Sequence, residues 1–330
     1  MIGLWLRNNT NTLRKMIKQP KNSLIEQAVS DALSTRVIRL QRIERGMVNH
    51  VYKAQTSKGD FIIRIFNYST WPEDGMLEWI EKQLAKKHIP HAKLVYYTRN
   101  KKFFPHGFMI SKFIEGADAY IASKKHTISK ASRFIGSGKL LKKIHQIRVP
   151  KYGEFNRGRG THQDFIRFKS DHVNDRLRTL IRAKFLPASI KHDFERVIKE
   201  YLLPFQKRFK PVLIHTDAHG DNLIITPQRD FVLVDWDNAK FGIALEDFTN
   251  LTAWFPISKE WRSLKQRTVA KSAFLKGYGN IGFSREEIAK LEKALHPIYT
   301  LSVLKYFFSN LKDIKRTKEI RSYLFKLLDY

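Results

Sequence analysis

The sequence predicts an α+β protein: an antiparallel sheet with one main helix in its N-terminal third, then a mostly helical remainder broken by one short β-structure. Three observations carry this. Between Val37 and Phe66 three apolar, β-branched runs are separated by turn residues. Over 129–147, 165–209 and everything after Asp247, apolar residues recur at helical spacing. Between the last two helical regions lies PVLIHTDAHGDNLIITPQRDFVLVDWDNAKFGIALED, residues 211–247, whose short apolar runs each stop at a polar cluster.

Residues 1–34 form the first segment. Arg7, Arg14, Lys15, Lys18 and Lys21 precede any acid, the first being Glu26. This reads as a basic tail, followed from Ser23 by a short helix through Leu24, Ile25, Ala28, Val29 and Leu33. Residues 35–112 form the second segment. Strands are expected at Val37–Ile43, Val51–Gln55 and Phe61–Phe66, with a turn at Ser57-Lys58-Gly59. A helix over 73–87 presents Met76, Leu77, Ile80 and Leu84 on one face, and Ile89-Pro90 ends it. Two further strands, from Lys93 and from Phe108, flank a turn at Asn100-Lys101-Lys102.

Residues 113–330 form the third segment. Its first helix, 129–147, contains Gly136-Ser137-Gly138-Lys139. This is no phosphate loop: the upstream glycine and the hydroxyl residue after the lysine are absent, and the run sits inside a helical pattern. Residues 151–161 are rich in Gly and Arg and read as a loop. Trp254, Phe255 and Trp261 are aromatics either for the core or for stacking on an acceptor.

A length of 330 residues with 42% hydrophobic content supports a sizeable core in one two-lobed unit. No window reaches the ~18 uninterrupted apolar residues of a membrane span. The start shows no apolar stretch with a cleavage site, so secretion is not expected, and the cytoplasm is the default compartment. Zero cysteines exclude disulfides and thiolate metal sites. The net charge of +30 favours anionic partners: nucleotide phosphates, nucleic acid or an anionic surface. The same charge is equally compatible with lysines spread over solvated faces, and it counts against a polycationic acceptor.

Within 211–247, Leu223–Ile225 and Phe231–Val234 are spaced as a hairpin around Thr226-Pro227-Gln228-Arg229-Asp230. The expectation is that Asp217, Asn222 and Asp235 are carried to one edge of one small β-structure. Their chemistry suits phosphoryl transfer. A carboxylate such as Asp217 can orient a hydroxyl and take its proton. A hard cation such as magnesium takes oxygen ligands, and the Asn222 amide with the Asp235 carboxylate is a suitable pair. His215 is placed to hold the loop by hydrogen bonds.

His-Thr-Asp-Ala-His-Gly-Asp-Asn, Leu-Val-Asp-Trp-Asp and then Glu246-Asp247-Phe-Thr-Asn-Leu together resemble the aminoglycoside phosphotransferase and choline kinase-like family. The likeness extends over roughly residues 35–255. It implies a bilobal protein kinase-like fold and magnesium-dependent transfer of the γ-phosphoryl of ATP, or GTP, to a hydroxyl of a small molecule. It further implies that Asp217 is the catalytic base, with His215 beside it, that Asn222 and Asp235 hold magnesium, and that Asp247 ties down the following helix. In the N-lobe it implies nucleotide contacts from Gly46 and Asn49, and a phosphate-binding cation at Arg64, where kinases carry lysine. That cation would pair with a glutamate on the 73–87 helix, Glu78 or Glu81, with Glu78 preferred. The adenine-reading hinge is placed at residues 110–113, including Ile110 and Lys112. Asp237 departs from the glutamate that the family often has.

Overall fold

The structure is a computed structural model that describes residues 19–43, 49–253 and 263–329. Gly46, Trp254, Phe255, Trp261 and nearly all of the basic tail lie outside these residues. The chain forms two compact units. One takes the chain up to Ile128 together with His219–Asn238; the other takes Ser129–Ala218 and everything from Ala239 onward.

The first unit is built on a five-stranded antiparallel sheet. Its strands are β1 (Val37–Ile43), β2 (His50–Thr56), β3 (Gly59–Ile65), β4 (Leu94–Thr98) and β5 (Phe108–Lys112), in the order β1-β2-β3-β5-β4. β2 and the latter part of β3 alternate buried and half-buried residues, as period-two patterning demands of a sheet covered on one face. Helix α1 (Asn22–Leu33) lays Ile25, Ala28 and Val29 on that face, in one core with Tyr52, Phe61, Ile63 and Phe108. The helix starts one residue before the serine favoured from sequence, with Lys21 at the cap. Helix α2 (Met76–Lys86) buries Met76, Leu77, Ile80 and Leu84, the four residues its periodicity selects.

The same unit contains a small sheet of β6 (Ala117–Asp118), β8 (Leu223–Ile225) and β9 (Phe231–Leu233), with α3 (Ala119–Lys124) after β6. Gly116 precedes β6 at φ 152, and a Cβ there would lie 2.3 Å from the Ile225 carbonyl oxygen, so only glycine lets the two backbones meet.

The second unit is mostly helical: α4 (Lys130–Ile144), α5 (Phe165–Arg182), α6 (Ile190–Tyr201), α7 (Leu245–Ala253), α8 (Leu264–Tyr278), α9 (Arg285–Tyr306) and α10 (Ile314–Leu327). Its one two-stranded sheet pairs β7 (Val212–Ile214) with β10 (Lys240–Gly242). This corrects the expectation of a single β-structure around residues 212–234. The edge of β7 is taken by Lys240-Phe241-Gly242, too short a run to signal a strand, while β8 bonds to β6 and β9. No helix among the described residues is long and apolar enough to cross a membrane.

The Gly136-Ser137-Gly138-Lys139 run lies inside α4, as its helical pattern requires. Its glycine has a packing role. A Cβ on Gly138 would lie 2.3 Å from the Phe274 carbonyl oxygen, and one on Gly277 would lie 2.0 Å from that of Ile135. The two glycines let α4 and α8 cross backbone against backbone. Gly277→Ala therefore forces the helices apart and should cost roughly 1–3 kcal/mol, the usual range for overpacking; urea unfolding of the two proteins measures it.

Between α7, α8 and α9 a polar cluster replaces apolar packing. Glu292 receives Lys271 Nζ on both carboxylate oxygens at 2.7 Å, and Thr252 Oγ1 at 3.1 Å. Burial pushes the Glu292 carboxyl up, but His296 and Lys271 outweigh it and bring it down to about 2. Its contribution is complete above the ordinary carboxylate value near 4.5 and is lost as pH falls toward 2. The wild type should accordingly lose up to about 3 kcal/mol more than Glu292→Gln between pH 5 and pH 2, read from denaturant midpoints across that range.

Candidate active site

The β8–β9 hairpin fixes the first half of the site. Leu223 pairs with Leu233, and the ladder continues one step further as Val234 N–H donates to the Asn222 carbonyl at 2.9 Å. Asn222 and Asp235 thus leave the same end of one hairpin. Asp235 adopts φ 65, a left-handed conformation that aspartate tolerates better than most residues. Its side chain is 47% exposed, while that of Asp237, two residues on, is 1% exposed.

Arg64 on β3 reaches both carboxylates: Nη1 lies 2.7 Å from Asp235 Oδ1 and Nη2 lies 2.7 Å from Asp237 Oδ1. The guanidinium has lost most of its water. Burial lowers its pKa, and the two acids more than restore it, so that the net shift is upward. On Asp237 burial dominates and pushes the carboxyl up to about 7, against the pull of Arg64. Asn49 closes the group, with Nδ2 donating to Asp237 Oδ2 at 2.9 Å and Oδ1 accepting from Asn67 N–H at 3.2 Å.

This is a different pairing from the one the sequence suggested. Glu78 is exposed on α2, and Glu81 faces His91 at 3.5 Å. Arg64 takes its carboxylates from the end of the hairpin, because Asp237 sits two residues beyond Asp235 and the short 3₁₀ turn Trp236–Asn238 carries it inward. The available signal was the Asp-x-Asp spacing, which reads equally well as turn chemistry.

The residues proposed as hinge, 110–113, lie in and directly after β5. Ile110 is fully buried in β5, paired with Ile63 on one side and Tyr96 on the other. Lys112 N–H donates to the Lys93 carbonyl at 2.8 Å and Phe113 N–H to that of Asp60 at 3.0 Å. The sheet occupies these amides, so main chain outside regular pairing begins at Ile114-Glu115-Gly116. The Lys112 ammonium turns back onto the Phe61 ring, 4.1 Å from its centroid.

The second unit holds Asp217 and what positions it. β7 delivers His215, fully buried, and then Thr216 at φ 65. A β-branched residue does not adopt that conformation unaided. Asp247 at the start of α7 holds it there: Oδ2 accepts from His215 N–H at 2.9 Å and Oδ1 from Thr216 N–H at 2.6 Å. Asn250 Nδ2 donates to the Thr216 carbonyl at 3.3 Å, so both sides of the strained residue are pinned. His215 Nδ1 accepts from the Asp217 N–H at 3.3 Å, a bond inside the loop.

Behind Asp247, His145 Nε2 lies 3.0 Å from Oδ2, and its Nδ1 lies 2.9 Å from the Tyr278 hydroxyl. Burial pushes the Tyr278 hydroxyl strongly up, with Asp247 adding to the effect, so it stays protonated and can donate. Neither His145 nor Tyr278 stands out in sequence as part of the site, since both sit within ordinary helical patterns.

A described sheet-plus-helix unit and a helical unit, linked through a His-x-Asp-x4-Asn loop, define a kinase-like α+β phosphotransferase fold. The profile of the phosphotransferase enzyme family (APH) matches residues 39–284, and the chain belongs to that family. It is thus a phosphotransferase acting on a hydroxyl acceptor. Solved structures agree in fold. Aminoglycoside phosphotransferase APH(4)-Ia superposes with a TM-score of 0.68 at 12% identity, over 94% of this chain and 99% of its own. The gentamicin–APH(2")-IIa complex gives 0.64 at 14% identity, over 94% and 97%. Spectinomycin phosphotransferase APH(9)-Ia, in complex with ADP and spectinomycin, gives 0.58 at 14%, over 94% and 98%. No curated protein matches the sequence.

Replacing Asp247 by Ala orphans two main-chain N–H groups and releases the constraint on Thr216. The expected cost is roughly 2–4 kcal/mol, measurable by thermal melts, together with faster amide exchange at Thr216 and Asp217.

Proposed function

We propose that the protein transfers the γ-phosphoryl group of ATP to a hydroxyl of a small molecule. Asp217 serves as the general base. Asn222 and Asp235 would hold magnesium, and Arg64 binds the nucleotide phosphates. The observation that carries this is the hairpin end where an amide oxygen and a partly exposed carboxylate emerge together, beside a buried arginine.

The donor set fits magnesium. Both ligands are hard oxygens, and this cation keeps several waters and phosphate oxygens of its own. A complete protein cage is not needed, in line with the absence of any cluster of three metal-binding side chains among the described residues. When bound, magnesium would screen the charge of the phosphates. The protein's own contribution is positional. Thr216, held in its left-handed conformation, sets the direction in which the Asp217 carboxylate points at an incoming hydroxyl. Arg64, carrying a delocalised charge in a planar fork, would keep Nη2 on Asp237 and offer Nη1, now on Asp235, to a phosphate oxygen.

The test is nucleotide turnover with a panel of hydroxyl acceptors. Asp217→Ala should lower kcat by roughly 10²–10⁴ while leaving ADP affinity and the melting temperature close to wild type. Arg64→Met should act in the opposite sense, weakening ADP binding by about tenfold or more. Unchanged turnover in Asp217→Ala would remove it from the base role.

A further inference from the structure

A second group of charged side chains lies in the unit that carries Asp217. Lys169 on α5 forms an ion pair with Glu246 at the start of α7, and both side chains are 6% exposed. The other Glu246 oxygen accepts from Ile243 N–H at 3.0 Å, so this carboxylate is fully used. Lys240 on β10 reaches Glu154 at 2.6 Å. Arg176 on α5 makes no ion pair with a buried acid; Glu154, already paired with Lys240, is the strongest negative charge acting on it, and burial still holds the Arg176 pKa below its ordinary value. Its Nε donates to Ser302 Oγ at 3.1 Å and its Nη1 to the His172 carbonyl at 3.2 Å. The nearest carboxylate, Asp175, is 3.4 Å away and 62% exposed, where water removes most of its attraction.

His172 does not supply the missing negative charge. Ser302 Oγ donates to the Ile298 carbonyl at 3.2 Å, so at 2.7 Å it accepts from His172 Nε2. Burial, then Arg176, Lys240 and Lys169, hold the His172 pKa well below its ordinary value, and the ring stays neutral. Setting aside the mostly exposed Asp175, the cluster as a whole has three cations, Lys169, Arg176 and Lys240, against two carboxylates, Glu154 and Glu246. Its solvent-facing side is formed by Arg176, Lys240 and Glu154, with side chains 20%, 21% and 42% exposed. A desolvated excess of positive charge is costly unless an anion comes to it.

Lys240 ties the cluster to the chemistry. In the β7–β10 ladder it stands opposite Ile214, three residues before Asp217. At about 3.3 Å per residue, the separation along the chain is roughly 10 Å, within the span of a sugar-sized molecule.

We propose that this cluster binds an anionic group of the acceptor, a carboxylate or a phosphate, so that the substrate is a hydroxylated acid. This deepens the small-molecule kinase reading and rests on it. The planar Arg176 fork takes the anion bidentately, with Lys240 adding a second charge. A cationic acceptor would meet like charges here.

The test uses bare anions, which need no guess about the rest of the substrate. Inorganic phosphate and acetate are titrated separately against the full-length protein with ADP and magnesium present, and the melting temperature is followed. A saturable rise is expected with at least one anion, and which one responds distinguishes phosphate from carboxylate recognition. Half-saturation should move upward at least fivefold in Arg176→Gln and in Lys240→Gln. It should not move in Lys139→Gln, an exposed lysine of α4. No saturable response, or an equal one in both variants and wild type, overturns the proposal. ADP affinity, measured alone by calorimetry, reports on the kinase reading independently.

Discussion

The Asp247 carboxylate is the interaction on which the rest of this molecule depends. It is buried, and its two oxygens gather the N–H groups of His215 and Thr216 and the ring of His145. Charge-assisted bonds of this kind are short and strong, and inside a low-dielectric core they are enforced because water offers no alternative. They hold a β-branched residue in a conformation it would otherwise leave, and so turn the residue after it. The loop after β7 is thereby tied to α7, the helix that Asp247 begins. The cost of the strain is borne by packing remote from the reacting atoms, a common arrangement at functional sites.

The first unit solves a related problem by other means. Arg64, the cation proposed to meet the nucleotide phosphates, must be kept extended and oriented. In the expected plan a glutamate on the neighbouring helix does this. Here Asp237 does it from the end of the same hairpin that presents Asp235, and Asn49 holds Asp237 in turn. One short peptide therefore sets both a candidate metal ligand and the partner of Arg64. Positioning of the two is coupled by sequence adjacency alone, with no demand on where α2 sits.

Much of this was legible before any coordinates. The five strands of the main sheet, α2, the helix after Ser129 and the 223–233 hairpin follow from periodicity and turn chemistry, because those segments are long enough or regular enough for the pattern to dominate. What escaped was short or relational. Lys240-Phe241-Gly242 is a strand only because β7 offers an edge. The partner of Arg64 was sought among Glu78 and Glu81 because they lie on the expected helix, while burial, which selects Asp237, is a property of packing. That β5 has partners on both sides, which occupies the amides of Lys112 and Phe113, was likewise hidden, because strand order cannot be read from one strand's residues. Tyr278 reaches His145 across 133 residues of chain, a distance no local pattern encodes.

The meeting of Gly242 with Glu246 bears on how this sequence can drift. A Cβ at position 242 would sit 2.1 Å from Glu246 Oε2, and the other oxygen of that glutamate neutralises Lys169. No one of the three can change profitably by itself. A side chain at 242 evicts the glutamate, a neutral residue at 246 strands a buried ammonium, and an apolar residue at 169 strands a buried carboxylate. The trio forms a ratchet: once assembled, single-step paths away from it run downhill in fitness, and descendants must keep the set or replace it in concert. Such a lock beside β7 would preserve local geometry through divergence deep enough to erase resemblance elsewhere.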